Sequence, residues 1–309
     1  MKKLRLVPDN TNIAFIDKRF IALAISAFLI IGSLGLFGFK GLNLGIDFLG
    51  GILIEIKTEG PADVGELRST VGGLGLGEVN IQEFGAPDDV LIRVQRQEGG
   101  DPQQQKALDV VKDAIRDQVV EFRRTETVGP TVGDELKEAA IIAVLMAIGA
   151  ILLYVWFRFE WQFGMGAVIA LTHDVIATIG LFSLLGLEFN LASVAALLTI
   201  AGYSINDTVV IYDRVRENMR RYKKLPLTEL FNKSINETLA RTVMTSVTTL
   251  LALLSLVLFG GEVIRGFSIA LIFGVMIGTY SSVALAVPML LYLKVQRADE
   301  NEYSPEPST

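Results

Sequence analysis

The chain contains no cysteine, which rules out disulfides, thiol catalysis and Cys-type zinc sites. It has a single histidine, so a His-rich metal site cannot be built from it. No Walker motif occurs, so any work the protein does is not driven by nucleotide bound to this chain. A glycine-rich stretch, Gly72-Gly73-Leu74-Gly75-Leu76-Gly77, follows a predicted helix and precedes a predicted strand. Dinucleotide sites need the reverse order, so the stretch reads as a flexible loop. No cofactor is indicated. The net charge is −6 and the basic residues gather near segment ends, so a nucleic-acid footprint is not expected either.

Long apolar runs are what the chain has in abundance. Of its 309 residues 51% are hydrophobic, and a bilayer core needs about 20 such residues in a row. Six runs reach or approach this length: Phe20–Phe39, Ala139–Phe157, Phe163–Leu187, Leu191–Tyr212, Thr242–Phe259 and Phe267–Leu293. The first follows Lys2, Lys3, Arg5, Lys18 and Arg19 and ends Gly38-Phe39-Lys40. A signal peptide has a shorter apolar core and a small-residue cleavage site, so this run is expected to be an uncleaved span.

Basic residues fix the expected orientation. The links on the side of the N-terminus carry Arg158, then Arg214, Arg216, Arg220, Arg221, Lys223, Lys224 and Lys233, then Lys294 and Arg297. The opposite short links carry only Arg265. Both termini are therefore expected in the cytoplasm. The basic run at 214–224 reads first as this inside marker, with lipid or partner docking as the alternative.

Residues 40–134 alternate like a water-soluble domain on the periplasmic side. Ile52–Thr58, Val79–Phe84 and Val90–Gln95 read as strands, with a turn over 85–89, and Glu121–Val128 as a fourth. Helices are expected over Pro61–Val71 and from Asp101, the latter with Ala107, Val110, Val111, Ala114, Ile115 and Val119 on one face. The order is βαββαβ, the ferredoxin-like split unit. The fold class is thus an α-helical polytopic membrane protein with six spans and a small α+β domain between the first two. Residues 1–19 form a cytoplasmic segment, 20–39 the first span and 135–297 the remaining membrane domain. Within the latter, 213–240 reads as a cytoplasmic loop carrying an interfacial helix, with Leu227, Leu230, Phe231, Ile235 and Leu239 on one face. Residues 298–309 read as a disordered tail.

Four residues could carry chemistry inside the membrane. Asp207 lies six residues before Asp213, about 9 Å inside the cytoplasmic boundary. An acid at that depth is a functional-site hypothesis by default. Arg241 opens the fifth span at similar depth, heading a polar stripe with Thr245, Thr248 and Ser255. The two can face each other, with Asp207 changing protonation; a static pair or a snorkelling Arg241 is the alternative. His173 and Asp174 sit in the third span, their side chains about 100° apart on an ideal helix. They suit a proton relay or, equally, a polar pair that fixes packing. Gly274, Gly278 and Ser282 form a small-residue ridge for close helix contact. An intramembrane hydrolase would need two facing acids, and Asp174 and Asp207 are expected at unlike depths.

Three motifs resemble the SecD/SecF family of bacterial protein-export membrane proteins, within the resistance-nodulation-division superfamily, and specifically its SecF branch. They are Gly45-Ile46-Asp47-Phe48-Leu49-Gly50-Gly51, Val128-Gly129-Pro130-Thr131-Val132-Gly133, and the block Gly202 to Asn218 with Ser204, Asn206, Thr208, Asp213 and Arg214. The resemblance covers nearly the whole chain. It implies an accessory inner-membrane subunit, not an enzyme, that pairs with SecD as a second six-span half. It further implies association with the SecYEG channel and YajC, and use of the proton-motive force to draw preproteins out on the periplasmic side. In that scheme Asp207 and Arg241 lie on the proton pathway, with His173 and Asp174 as further family features. A lipid or drug exporter of the same superfamily would carry both halves in one chain. A proton-independent scaffold is the other competing reading.

Overall fold

The computed structural model describes residues 7–8 and 11–295. The tail and Lys2, Lys3, Arg5 and Arg297 lie outside the described residues. In chain order the elements are α1 (Arg19–Lys40), β1 (Asn43–Leu44), α2 (Ile46–Leu49), β2 (Gly51–Lys57), α3 (Val64–Gly72), β3 (Val79–Phe84), β4 (Ala86–Val94), α4 (Asp101–Ala114) and β5 (Glu121–Val128). They continue with α5 (Pro130–Arg158), α6 (Trp161–Leu185), β6 (Glu188–Phe189), α7 (Leu191–Arg221), α8 (Leu227–Phe259), α9 (Glu262–Ser281) and α10 (Val287–Tyr292). The chain divides into two units, one of them Asn43–Val144 with Glu188–Val194.

That smaller unit has the strand order β3-β4-β2-β5, all antiparallel. This is the ferredoxin-like arrangement. Ile52, Ile54 and Ile56 of β2 pack with Val90 and Ile92 of β4 against Leu67 and Val71 of α3 and Leu108 and Val111 of α4. The opposite face buries Leu53 and Leu91 with Ile46. Three details differ from the sequence expectation. Asp63 caps α3 by accepting from the Glu66 N–H at 2.9 Å, so the helix starts at Val64 rather than at the proline. Strand β4 runs from Ala86, because the turn is confined to Gly85 and a bulge between Glu83 and Phe84 absorbs the proline. On α4, Val110 is exposed and Leu108 takes its place in the core.

A two-stranded parallel pairing, not expected from sequence, completes this unit. Asn43 and Leu44 pair with Glu188 and Phe189. Arg93 clamps it, bonding both Glu188 and Asn43.

The larger unit holds most of the membrane helices. Six helical stretches are long and apolar enough to cross a bilayer, including Ile16–Lys40, Trp161–Leu185 and Val263–Tyr292. Its core gathers Phe159, Phe163, Ala167, Tyr212, Val215, Leu230, Phe231, Ile235 and Leu290. The membership of Leu230, Phe231 and Ile235 corrects the sequence reading of 213–240. Helix α7 continues to Arg221, and α8 runs unbroken from Leu227 to Phe259. The apolar face of residues 227–239 is buried in protein instead of resting on a leaflet. Its polar edge is used as well: Asn232 and Asn236 accept from the backbone N–H groups of Ile16 and Ile13.

Small residues set helix spacing. A Cβ on Gly274 would stand 2.2 Å from Ile200 Cγ1, and one on Gly278 would stand 3.0 Å from Ser204 Cβ. The ridge on α9 is thus a packing surface for α7. A tighter case is Gly180 of α6, whose Cβ would lie 2.1 Å from Ser33 Oγ and 2.8 Å from Ser33 Cα of α1. Backbone cannot yield as a side-chain tip can. Gly180→Val is expected to destabilise the protein by about 1–3 kcal/mol, read as a lower melting temperature in detergent; an unchanged melting point would mean α1 is not held against α6.

Near its end the last span departs from α geometry. Residues Ser282–Ala286 form a π-helical turn. Pro288 has no N–H to offer the carbonyl of Ala284, and its ring crowds that carbonyl. The Tyr212 hydroxyl, from α7, donates to the Ala286 carbonyl at 3.0 Å.

Candidate functional site

Helix α7 carries the site. It is amphipathic in an inverted sense, with polar side chains turned inward among neighbouring helices. Ser204, Asp207 and Thr208 are all buried. Two polar constellations form around them, one toward α6 and α9, the other toward α8.

Toward α6 and α9 the centre is Asp174, fully buried. Its Oδ1 lies 2.9 Å from His173 Nδ1. Its Oδ2 accepts from Ser204 Oγ at 2.5 Å and from Ser281 Oγ at 2.7 Å. Ser282 extends the set, receiving a bond from Thr208 Oγ1 at 3.1 Å. His173 and Asp174 therefore meet, although neighbours on an ideal helix point about 100° apart. The serines from α7 and α9 hold one carboxylate oxygen, which leaves the other turned to His173. His173 Nε2 is buried without a hydrogen-bond partner among the described residues. Ser281 was not anticipated as a ligand of Asp174. The only sequence hint was two adjacent serines ahead of a proline in an apolar run.

Toward α8 the centre is Asp207. Rungs between the antiparallel helices fix its register: Tyr203 OH to Ser246 Oγ at 3.3 Å on one side, Arg214 Nε to Glu237 Oε2 at 2.6 Å on the other. Four residues on from Tyr203 and four back from Ser246 stand Asp207 and Thr242. Both are buried, and neither Asp207 Oδ2 nor Thr242 Oγ1 has a hydrogen-bond partner among the described residues. Arg241 is the cation whose field reaches Asp207. It is exposed on this chain, and no ion pair joins it to Asp207 among the described residues. The expected face-to-face pair is thus a charge interaction without contact. Asp174 and Asp207 are also closer in level than expected. Asp174 bonds Ser204, only three residues before Asp207, about 4.5 Å along the helix. They do not touch, and among the described residues no group of three or more metal-ligating side chains converges.

The remaining motif residues sort by location. Gly45 lies against Glu188, and its N–H donates to the Phe189 carbonyl at 2.9 Å. Asp47 Oδ2 accepts from the Leu191 N–H at 2.8 Å, at the start of α7. Phe48 is buried and stacks on Phe189, centroids 6.0 Å apart. Gly51 has φ +125°, and a Cβ there would sit 2.5 Å from the Val94 carbonyl, so only glycine fits; Gly50 beside it has φ +70°. Gly129 packs against Asp101, and Pro130 starts α5. Gly202 and Asn206 are exposed on α7. Asp213 pairs with Arg158 at 2.9 Å, and Arg214 with Glu217 and Glu237. The first motif thus meets residues 188–191 at the start of α7, and the second packs on the first through Gly133, where a Cβ would stand 3.2 Å from the Gly50 nitrogen.

This combination defines a class: a polytopic membrane protein of six spans, with one small α+β domain inserted after the first and a buried carboxylate on the fourth. Residues 109–296 match the model of the SecD/SecF protein export membrane protein C-terminal region, and residues 35–62 match the SecD/SecF GG motif. The protein translocase subunit SecF of Rickettsia bellii is 46% identical over 290 residues, covering 93% of this chain and 95% of the relative. That of Cereibacter sphaeroides is 46% identical over 303 residues, with 96% and 94% covered. A crystal structure of SecDF, a translocon-associated membrane protein from Thermus thermophilus, superposes with a TM-score of 0.84 at 38% identity. It covers 94% of this chain, which spans 40% of that longer chain. A second structure, SecDF in a super-membrane-facing form, gives a TM-score of 0.70. The chain belongs to the SecD/SecF family of protein-export membrane proteins.

Proposed function

We propose that this chain is the SecF-type half of a proton-driven export unit in the bacterial inner membrane. It works beside a SecD-type six-span half, with the SecYEG channel and YajC as further partners. Its termini face the cytoplasm, as the bias of basic residues supports, and the α+β unit faces the periplasm, where it meets emerging preprotein. The chain performs no catalysis of its own. The observation that carries the reading is Asp207: a buried carboxylate on a membrane span, one oxygen without a partner, under the field of Arg241 yet not bonded to it.

A proton arriving on Asp207 removes the charge that Arg241 attracts. That changes the interaction between α7 and α8 without breaking a hydrogen bond. Helix α7 starts among the residues of the α+β unit, where Asp47 accepts from the N–H of Leu191, its first residue, so movement of α7 is carried along one continuous helix. Asp174 and His173 support this as an anchor. Their network holds α6, α7 and α9 in register while α8 responds.

The test is release of a translocated precursor from vesicles holding this chain with its partner half. Release should accelerate with an imposed proton gradient and lose that acceleration with a protonophore. Release that is equally fast in both conditions would sink the proposal.

A further inference from the structure

The corner between α5 and α6 carries a site that proton coupling does not use. On one side of it lies a cavity of about 390 Å³ with almost wholly apolar walls, including Leu153 and Trp156 of α5 and Trp161 and Met165 of α6. Gly149 and Gly164 keep it open, with nothing within 4 Å of where a Cβ would stand on either. On the other side lies a cavity of about 460 Å³ lined by Arg158, Arg216, Arg220 and Arg221 with Asp213 and Glu217.

Both carboxylates in the second cavity are already engaged. Asp213 pairs with Arg158 at 2.9 Å, and Glu217 with Arg214 at 2.5 Å. Arg216, Arg220 and Arg221 have no carboxylate within ion-pair distance among the described residues. Phe159, in the corner itself, fixes two of the guanidiniums: Arg158 lies 5.1 Å and Arg216 5.3 Å from its ring centre. Arg216 also donates to the Arg158 carbonyl at 3.2 Å. The result is a preformed cationic cup in which four arginines face two carboxylates, an excess of two charges, beside an apolar slot flanked by two tryptophans.

Each half of this arrangement calls for a different part of one ligand. Guanidiniums bind phosphate oxygens in paired hydrogen bonds. Tryptophans gather at the level of the headgroups, and clustered arginines beside a membrane attract anionic lipid. Free phosphate would use the cup and leave the slot empty. An acidic protein segment would also have no use for an apolar slot between two spans. We infer that the α5–α6 corner binds an anionic phospholipid, its phosphate held by Arg216, Arg220 and Arg221 and an acyl chain lying between Trp156 and Trp161.

The test is native mass spectrometry of the full chain with its partner half, titrated with dioleoylphosphatidylglycerol or dioleoylphosphatidylcholine. The expected result is one retained phosphatidylglycerol per chain, preferred over phosphatidylcholine by on the order of tenfold. Arg220→Gln combined with Arg221→Gln should erase the preference. Gly149→Leu projects a side chain into the slot from a position where nothing lies within 4 Å of the new Cβ, and should weaken retention of both lipids. Adding inorganic phosphate should not displace the bound lipid. No preference in the native protein, a preference that survives the arginine changes, or retention that survives Gly149→Leu would each overturn the proposal. So would full displacement by phosphate, which would mark an anion site that does not use the acyl chain. Melting temperatures in phosphatidylcholine control for folding.

Discussion

Asp207→Asn is expected to leave the protein folded and inserted while export falls to the level seen without the chain. The side chain is nearly isosteric, and the oxygen it alters has no hydrogen-bond partner to lose. The change in stability should therefore stay within about 1 kcal/mol. What the substitution removes is the ability to exchange a proton under the field of Arg241. One charge crossing the membrane potential is worth about 2.3 kcal/mol per 100 mV, enough to shift a two-state equilibrium by about fifty-fold. Without the titratable group that bias is lost entirely. The measurement is export of a secreted precursor in cells with Asp207→Asn as the sole copy, read beside membrane abundance and co-purification of the partner half. Normal export would make Asp207 a packing residue and return the protein to the scaffold reading. Loss of abundance or of the partner would show instead that the acid is structural.

Much of this site is legible in the amino-acid sequence. Hydropathy gave the six spans, because a bilayer demands a continuous apolar run, and period-two alternation gave the β2 and β3 strands. The exposed cost of a carboxylate in such a run singled out Asp207. Other features depend on partners far away in the chain. The apolar stripe at Leu230, Phe231 and Ile235 looks the same whether it meets lipid or protein, and the structure buries it. The β1–β6 pairing joins residues near 43 to residues near 188, over two residues each, too short for any pattern to register. The meeting of His173 with Asp174 departs from ideal helix directions, and only the serines arriving from α7 and α9 define where Asp174 must point. Arg241 shows the converse. Matching depth placed it near Asp207, but depth carries no information on whether the two side chains touch.

The second acid should behave in the opposite way to the first. Asp174→Ala is expected to be the most damaging single change in the membrane unit. The carboxylate accepts from Ser204 and Ser281 and bonds His173, with all four side chains shielded from water. Removing it strands His173 Nδ1 and the Ser204 hydroxyl, each costing about 1–3 kcal/mol when left unsatisfied, while Ser281 keeps its bond to the Gly278 carbonyl. The partners can relax, so a total of roughly 3–5 kcal/mol is expected, enough to deplete the protein from the membrane. Asp174→Asn is the informative companion. An amide whose oxygen stands where Oδ2 does still accepts from both serines, and its NH2 can donate to His173 Nδ1 in the tautomer that leaves that nitrogen free, so the helices should stay in register. An anchor therefore predicts that Asp174→Asn retains abundance and most of its gradient-dependent export, while Asp174→Ala loses both. If Asp174→Asn were abundant yet as inactive as Asp207→Asn, the proton path would run through both carboxylates. Ser204, bonded to one and three residues from the other on α7, would then be the group linking them. The two acids on α6 and α7 thus make a paired experiment, in which folding and export separate for one and fall together for the other.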